Sequence, residues 1–374
     1  MDGYCTDIFT QAANRCMANR RHRPFFTYLA YNAPHAPLQA WESDAWPYRV
    51  KGLRDDIARL YGMVTHLDEN IGKLLGTLKT MGLDQNTIVI FMSDNGPDRP
   101  RYNAGMRGLK GSVYEGGLRV PCFIRWPGRL QAGRKVGNLS AHIDIVPTLL
   151  EACGVAVPKQ VKLDGASLMP LLRRERVNWA DRRLYFQWHR GDQPVEFRNA
   201  AAVSQRYKLV EGRELYDRVS DPGEQNDIAA AHPEIVAAMR QGYQEWFRDV
   251  SSTRGYAPPR IQLGTPHEDP TTLTRQDWRG PRAGWKPDDL GYWEVQVAHA
   301  GNYMVGFRFT ARATSGEARL RIGGVEKKER VFTSATSCGF DTVRLKAGPT
   351  RLEAILELGG KSVGVDYVDV LRVK

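Results

Sequence analysis

Apolar side chains fall into three textures along the chain, and each predicts a different kind of element. Residues 25–31 (Phe25-Phe26-Thr27-Tyr28-Leu29-Ala30-Tyr31) are apolar on both sides of the pleat, as in a strand covered by helices on both faces. Leu60, Met63, Val64, Leu67, Ile71, Leu74, Leu75 and Leu78 then recur at helical spacing, with Gly82 as a stop. Residues 87–92 and 120–126 read as two more buried strands, and residues 143–152 as a helix. Strand, helix, strand, strand, helix is an α/β order with a largely parallel sheet. Further on, the pattern shortens to strand-sized pieces at 184–188, 200–204 and 207–211, which predicts a small antiparallel sheet. A helix over 233–250 closes it, with His232-Pro233 at its start.

The third texture follows a stretch rich in Ser, Thr, Pro and Gly over residues 251–277, which reads as a linker. Beyond it, short alternating runs separated by glycine-containing turns (292–297, 303–309, 318–322, 342–345, 351–358 and 365–373) predict an all-β sandwich over 278–374. The chain thus divides into an α/β part over 1–250, a linker and a sandwich.

Composition sharpens this picture. The 374 residues, 42% hydrophobic and 25% charged, can form a real core. No apolar run reaches the ~18–20 residues of a membrane helix, and the start lacks a signal-peptide pattern. The formal net charge of +11 favours anionic ligands, but the arginines are scattered and lack aromatic interleaving, which argues against nucleic acid. Five widely spaced cysteines without a C-x-x-C pair imply neither a disulfide framework nor a zinc site.

The candidate chemistry sits where the predicted strands end. Ser93-Asp94-Asn95-Gly96 follows the second strand, at an edge where α/β sheets place ligands, and Asp94 with Asn95 offers hard oxygen donors for calcium or magnesium. The same string is also a common Asx turn. His35 follows the first strand and so reaches the same edge; a histidine there can act as an acid, whereas a His after Pro is otherwise commonly an exposed loop residue. The glycine-rich stretch from Met106 through Gly117 lets backbone and the cations Arg107 and Lys110 approach an anion.

Five of these motifs resemble, in order, those of formylglycine-dependent sulfatases of the arylsulfatase type, in the alkaline phosphatase superfamily. They are Tyr31-Asn32-Ala33-Pro34-His35-Ala36-Pro37, Ser93-Asp94-Asn95-Gly96, Leu109-Lys110-Gly111 through Glu115-Gly116-Gly117, His142-Ile143-Asp144-Ile145-Val146-Pro147-Thr148-Leu149-Leu150, and Glu214-Leu215-Tyr216-Asp217 with Asp221-Pro222-Gly223-Glu224. The resemblance implies an alkaline-phosphatase-like mixed sheet flanked by helices, with a small antiparallel subdomain after it. It implies a calcium-dependent sulfuric ester hydrolase in which a hydrated formylglycine, made from Cys or Ser, attacks sulfur. By the same resemblance Asp94 and Asn95 match metal ligands, and Lys110 and His35 match catalytic and substrate-contacting groups; Arg107, among the loop glycines, is expected as a further substrate contact on its own chemistry. The partner implied is a sulfated small molecule or glycan, and the location periplasmic or secreted.

The family's opening segment, with its Asp pair, its Cys-x-Pro-x-Arg motif and a further Lys and His, has no counterpart here, so the resemblance implies an N-terminally truncated sulfatase. Cys16-Met17-Ala18-Asn19-Arg20 fits only a relaxed form of the motif, and the helical spacing of Ile8, Phe9, Ala12, Ala13 and Cys16 makes Cys16 a packing residue. Two oxygen ligands should bind calcium weakly, so the expectation for this chain alone is weak affinity and negligible turnover. One alternative is a non-catalytic remnant whose sandwich, with Gly291-Tyr292-Trp293 and Ala300-Gly301-Asn302-Tyr303, resembles carbohydrate-binding modules. Another is a zinc phosphatase or phosphodiesterase, disfavoured because Asn95 stands where such enzymes place a histidine.

Overall fold

The computed structural model describes residues 3–175, 179–253, 255–310 and 314–373. They form two compact units, Met1–Thr253 and Arg254–Lys374. Among the described residues no helix is long and apolar enough to cross a membrane.

The first unit begins with three helices, α1 (Cys5–Asn19), α2 (Glu42–Val50) and α3 (Asp55–Thr80). The leucine-rich periodicity of α3 buries Leu60, Met63, Leu67 and Leu78. Gly82, at φ +68°, lets the chain turn back: Gly82 N–H donates to Lys79 O and Leu83 N–H to Leu78 O. On α1 the buried residues are Thr6, Thr10, Ala13 and Met17, one position off the face expected around Cys16. A polar contact explains the shift. His66 of α3 lies between Asp7 of α1 at 3.0 Å and Asp44 of α2 at 3.4 Å, and Asn70 donates to Asp7, which fixes how α1 is rolled.

The strands depart from expectation. Residues 25–31 run extended but join no ladder, and Phe26 and Tyr28 are 77% and 85% exposed. An apolar run supplies only half of a strand; the other half is a neighbouring backbone, which the sequence pattern does not report. β1 (Val89–Met92) and β2 (Cys122–Arg125) pair antiparallel with each other rather than in the parallel sheet expected, and among the described residues they have no other strand partner. Phe91 and Phe123 stack at 6.3 Å on one face of this ribbon, and Phe123 is 65% exposed. Of two short helices, α4 (Glu115–Leu118) lies between the two strands in sequence and α5 (Ile145–Ala152) follows them.

After α6 (Met169–Leu172) comes a four-stranded antiparallel sheet in the order β3 (Leu184–Gln187), β4 (Ala200–Val203), β5 (Tyr207–Val210), β6 (Glu214–Asp217). Helix α7 (Pro233–Ser252) opens with proline at N1 and packs Met239 and Tyr243 against Ala200, Ala202, Leu209 and Leu215. The other face of the sheet buries Ala201, Val203, Val210 and Tyr216 with Val113. The sheet is thus covered on both sides, and the side turned to Val113 holds the loop that carries Lys110.

In the second unit, β7 (Ile261–Leu263) and β8 (Thr271–Thr274) fall inside the stretch read as a linker; three- and four-residue strands leave too short an alternation to stand out. One sheet runs β13 (Ser337–Leu345), β10 (Gly301–Arg308), β16 (Tyr367–Val373), β8. The other runs β12 (Val325–Val331), β11 (Gly316–Ile322), β14 (Gly348–Leu358), β9 (Tyr292–Val297), β7, with β15 (Lys361–Gly364) also on β14. Alternate residues of both sheets, including Trp293, Tyr303, Phe307, Phe340 and Leu352, share one cluster. Trp293 is fully buried and donates its indole N–H to Thr274 O at 2.7 Å. Trp293→Ala should therefore cost about 3–5 kcal/mol in this unit, read as a lowered urea midpoint; a cost below about 1 kcal/mol would contradict the packing described.

Candidate active site

Three loops meet at the end of β1 because their backbones bond to one another. Gly96 N–H donates to Gly117 O at 2.9 Å, Lys110 N–H to Pro97 O at 2.7 Å, and Gly116 N–H to Arg107 O at 2.7 Å. His142 Nε2 adds a third segment by donating to Ser93 O at 2.9 Å. The approach requires glycine: a Cβ on Gly96 would run into the Gly116 carbonyl, and one on Gly116 into the carbonyls of Arg107 and Gly108. Asp94 and Asn95 are thereby set beside the loop of Lys110.

A buried ion cluster fixes that loop from below. Lys208 of β5 is fully buried, with its Nζ 2.8 Å from Glu224 Oε1, at an angle outside a hydrogen bond, and 3.3 Å from Glu115 Oε1. Arg218 reaches the same Glu115 oxygen at 3.4 Å, and Glu115 N–H donates to Glu224 Oε2 at 2.7 Å. Burial alone would raise the Glu115 pKa, but Lys208 and Arg218 outweigh it and hold the carboxyl below its ordinary value. A single turn, α4, thus begins on a carboxylate clamped by two cations, Lys208 on β5 and Arg218 just past the end of β6.

The aromatic side of the loop is tied down as well. Tyr114 and Tyr216 both donate to Glu214 Oε2 at 2.7 Å. Burial, reinforced by that carboxylate, pushes the Tyr216 hydroxyl up to about 12 and the Tyr114 hydroxyl higher still. Both phenols are therefore neutral donors across the physiological range. Nearby, Asp144 is fully buried; it pairs with Arg182 and accepts from the Ala141 and Ala166 N–H groups. Burial would raise its pKa, but Arg182 and the two backbone donors leave it lowered.

The structure treats the expected site residues unequally. Asp94 is exposed and accepts from the Asn95 amide, while Lys110 is exposed on the adjoining loop. Asp94 carboxylate and Asn95 carbonyl oxygens fit a hard cation such as calcium, as part of the ~6–8 oxygens it takes. Among the described residues no group of three or more His, Cys, Asp or Glu is arranged to hold a metal ion. His35 is exposed in its turn, bonded to its neighbour Ala36 O at 2.7 Å, and takes no part in the bonds joining the other three loops. Arg107, expected as a substrate contact, is exposed on the same loop as Lys110, and its guanidinium is held in place: Nη1 donates to Tyr216 OH and Glu224 O, and the group lies 3.9 Å over the Tyr114 ring.

Lys208, Arg218 and His142 have positioning roles that the sequence reading did not assign. A lysine between apolar neighbours in Tyr207-Lys208-Leu209-Val210 is the one local sign of the cluster, because a lysine on a covered sheet face must find a buried anion.

Comparison with known proteins places the chain beside sulfatases. A family model described as sulfatase matches residues 2–155, and one described as N-sulphoglucosamine sulphohydrolase, C-terminal, matches residues 109–247. The chain is 32% identical over 289 residues to the uncharacterized sulfatase YdeN of Escherichia coli, covering 67% of this chain and 51% of YdeN. It is 30% identical over 289 residues to human arylsulfatase A, covering 68% and 54%. Among solved structures, Ps i-CgsB in complex with k-i-k-neocarrahexaose superposes with a TM-score of 0.62 at 28% identity, covering 69% of this chain and 58% of that one. The chain therefore spans about half the length of the curated relatives it matches.

Lys208→Met would leave the buried Glu224 without its cation and Glu115 with Arg218 in place of two, and should cost about 3–5 kcal/mol, measured by chemical denaturation of the first unit; a loss under about 1 kcal/mol would contradict the cluster's role. Because Glu115 and Asp144 both titrate below their ordinary values in the folded state, the unfolded chain binds more protons in acid. The stability they contribute is intact above the ordinary Glu value of 4.5 and is lost as pH falls through their folded values. Glu115→Gln should lower the midpoint at neutral pH and flatten its decline in acid; an unchanged acid slope would contradict this assignment.

Proposed function

The chain belongs to the sulfatase family, and from that premise we propose that it carries the metal- and sulfate-binding side of a site that hydrolyses sulfate esters. The carrying observation is the Lys110 N–H to Pro97 O bond, which holds the Lys110 loop against the loop of Asp94 and Asn95. A cation on one loop and oxygen donors on the next suit a tetrahedral dianionic head: Asp94 and Asn95 would hold calcium, and Lys110 would contact a sulfate oxygen directly. Bound by Asp94 and Asn95, calcium would supply Lewis-acid polarisation of the sulfate.

The side chains of this chain divide the remaining work. Lys110 neutralises charge on the sulfate's non-bridging oxygens from a position set before substrate arrives, which favours the more charged transition state. His35 donates a proton to the alkoxide oxygen that leaves, and its exposed turn can approach a substrate without breaking a buried contact. The two ligands supplied here do not fill a calcium shell, so the rest of the site is contributed by residues other than these. A sulfated saccharide is the proposed substrate class, supported by the likeness to Ps i-CgsB, which was solved with a carrageenan-type hexasaccharide.

The test uses the native protein from its source and p-nitrophenyl sulfate. Release of p-nitrophenol should be abolished by a chelator and restored by calcium, and Lys110→Ala should lower kcat/KM by about 10²–10³-fold. Turnover indifferent to both the chelator and Lys110→Ala would overturn the reading, as would a preference for p-nitrophenyl phosphate. The isolated 374-residue chain should bind calcium only weakly, in the millimolar range or above; tight binding in calorimetry would contradict the partial ligand set.

A further inference from the structure

The outer face of the β13-β10-β16-β8 sheet carries an opening that packing does not require. Along β10, Tyr303, Val305 and Phe307 point into the core, so Met304, Gly306 and Arg308 face outward. Gly306 lies directly opposite Gly339 of β13 and Asp369 of β16, and Asp369 lies opposite Thr272 of β8. A Cβ built on either glycine meets nothing within 4 Å, and neither has a positive φ. Threonine or valine would fit both positions and favour the strand, so paired glycines there forgo as much as ~1 kcal/mol each. The β10–β13 register shifts between Tyr303 and Val305 but runs regularly from Val305–Phe340 through Gly306–Gly339 to Arg308–Ser337, so neither glycine sits in the bulge, and glycine inside a regular strand can mark a close approach by a ligand.

The walls of this trench show what would approach. On one side Tyr367 is 42% exposed, with the Arg308 guanidinium 4.4 Å from its ring centroid. Arg308 also makes a forked pair with Asp369, at 2.6 and 3.0 Å, and Thr272 donates to Asp369 at 2.6 Å. An exposed ring beside an ordered carboxylate, guanidinium and hydroxyl suits a pyranose: the ring covers the sugar's C–H face, and the polar groups take adjacent hydroxyls. The opposite wall, Met304 and Leu371, is apolar and exposed, and Arg344 at the far end of the face, opposite Asn302, adds a cation for a sulfate.

We propose that the Gly306–Gly339 trench is a binding site for a sulfated polysaccharide, separate from the hydrolytic loops. The charge of the ligand rests on the sulfated-saccharide reading above; the trench itself does not.

The test is affinity electrophoresis of the full chain in native gels containing iota-carrageenan, chondroitin sulfate or neutral agarose. The sulfated polymers should retard the chain more than agarose does. Tyr367→Ala and the double change Gly306→Thr with Gly339→Thr should each weaken retardation by at least about tenfold in apparent affinity. The double threonine variant should keep or raise the thermal midpoint, which separates a filled site from a damaged fold. No retardation by any polymer would overturn the proposal. So would retardation indifferent to both variants, the mark of a basic chain adsorbing to a polyanion. Equal retardation by agarose would overturn the commitment to a sulfated ligand. The double threonine variant should leave turnover of p-nitrophenyl sulfate by the native protein unchanged, so a failure of the hydrolytic reading would appear in turnover and a failure of the trench in these gels.

Discussion

A lysine side chain with no access to solvent sets the terms for the first unit. Lys208 stands on the face of a four-stranded sheet that must also bury Val113 and the loop around it, and its charge is tolerable there only because Glu115 and Glu224 come to it. Those two carboxylates belong to distant segments, one at the start of a single helical turn and the other after β6. Bringing them together seats the 107–117 loop on the sheet, and the backbone bonds of Gly96 to Gly117 and of Lys110 to Pro97 then draw in the end of β1. The surface that carries Asp94, Asn95 and Lys110 is held from beneath by charge and from the side by main chain, while Asp94 and Lys110 themselves stay exposed to solvent. A preorganised anion site needs this division, since a cation that must first leave an internal partner binds its ligand less well.

The ribbon to which this loop attaches is spare by comparison. Two strands of four residues are marginal alone, and the aromatic rings on β1 and β2 remain partly in water. Stability in this part of the unit comes instead from α3 and its polar ties to α1 and α2, and from the cross-loop bonds. The small sheet has the opposite character, covered on one face by α7 and on the other by Val113, Tyr114 and Leu118. The loop of Lys110 thus leans on the best-packed element available to it.

Much of this was legible in the sequence where the signal is local. The leucines of α3, the Pro233 start of α7 and the ends of β1 and β2 follow from periodicity and turn residues, and the motif strings marked the site's loops before any contact was known. What escaped was non-local. Residues 25–31 have a strand's composition, yet strand formation is a property of two backbones. Cys16 was placed on a helix correctly, but the roll of that helix depends on His66, fifty residues away. The loop glycines pointed to Arg107 as an exposed cation, but its ties to Tyr114, Tyr216 and the Glu224 carbonyl join segments too far apart in sequence for any local pattern to announce them. β7 and β8 were hidden by their brevity inside a Pro- and Thr-rich stretch.

The central claim is that the Lys110 loop and the small sheet form one cooperative unit through Lys208. Native-state amide hydrogen exchange measures this most directly, because each amide reports the free energy of the opening that exposes it. The account predicts that the Gly96, Lys110 and Gly116 amides share one opening free energy with Leu209 in β5, and that all four fall together as urea rises. Fast exchange at the three loop amides, with Leu209 still protected, would contradict it and make the candidate site an ordinary surface loop.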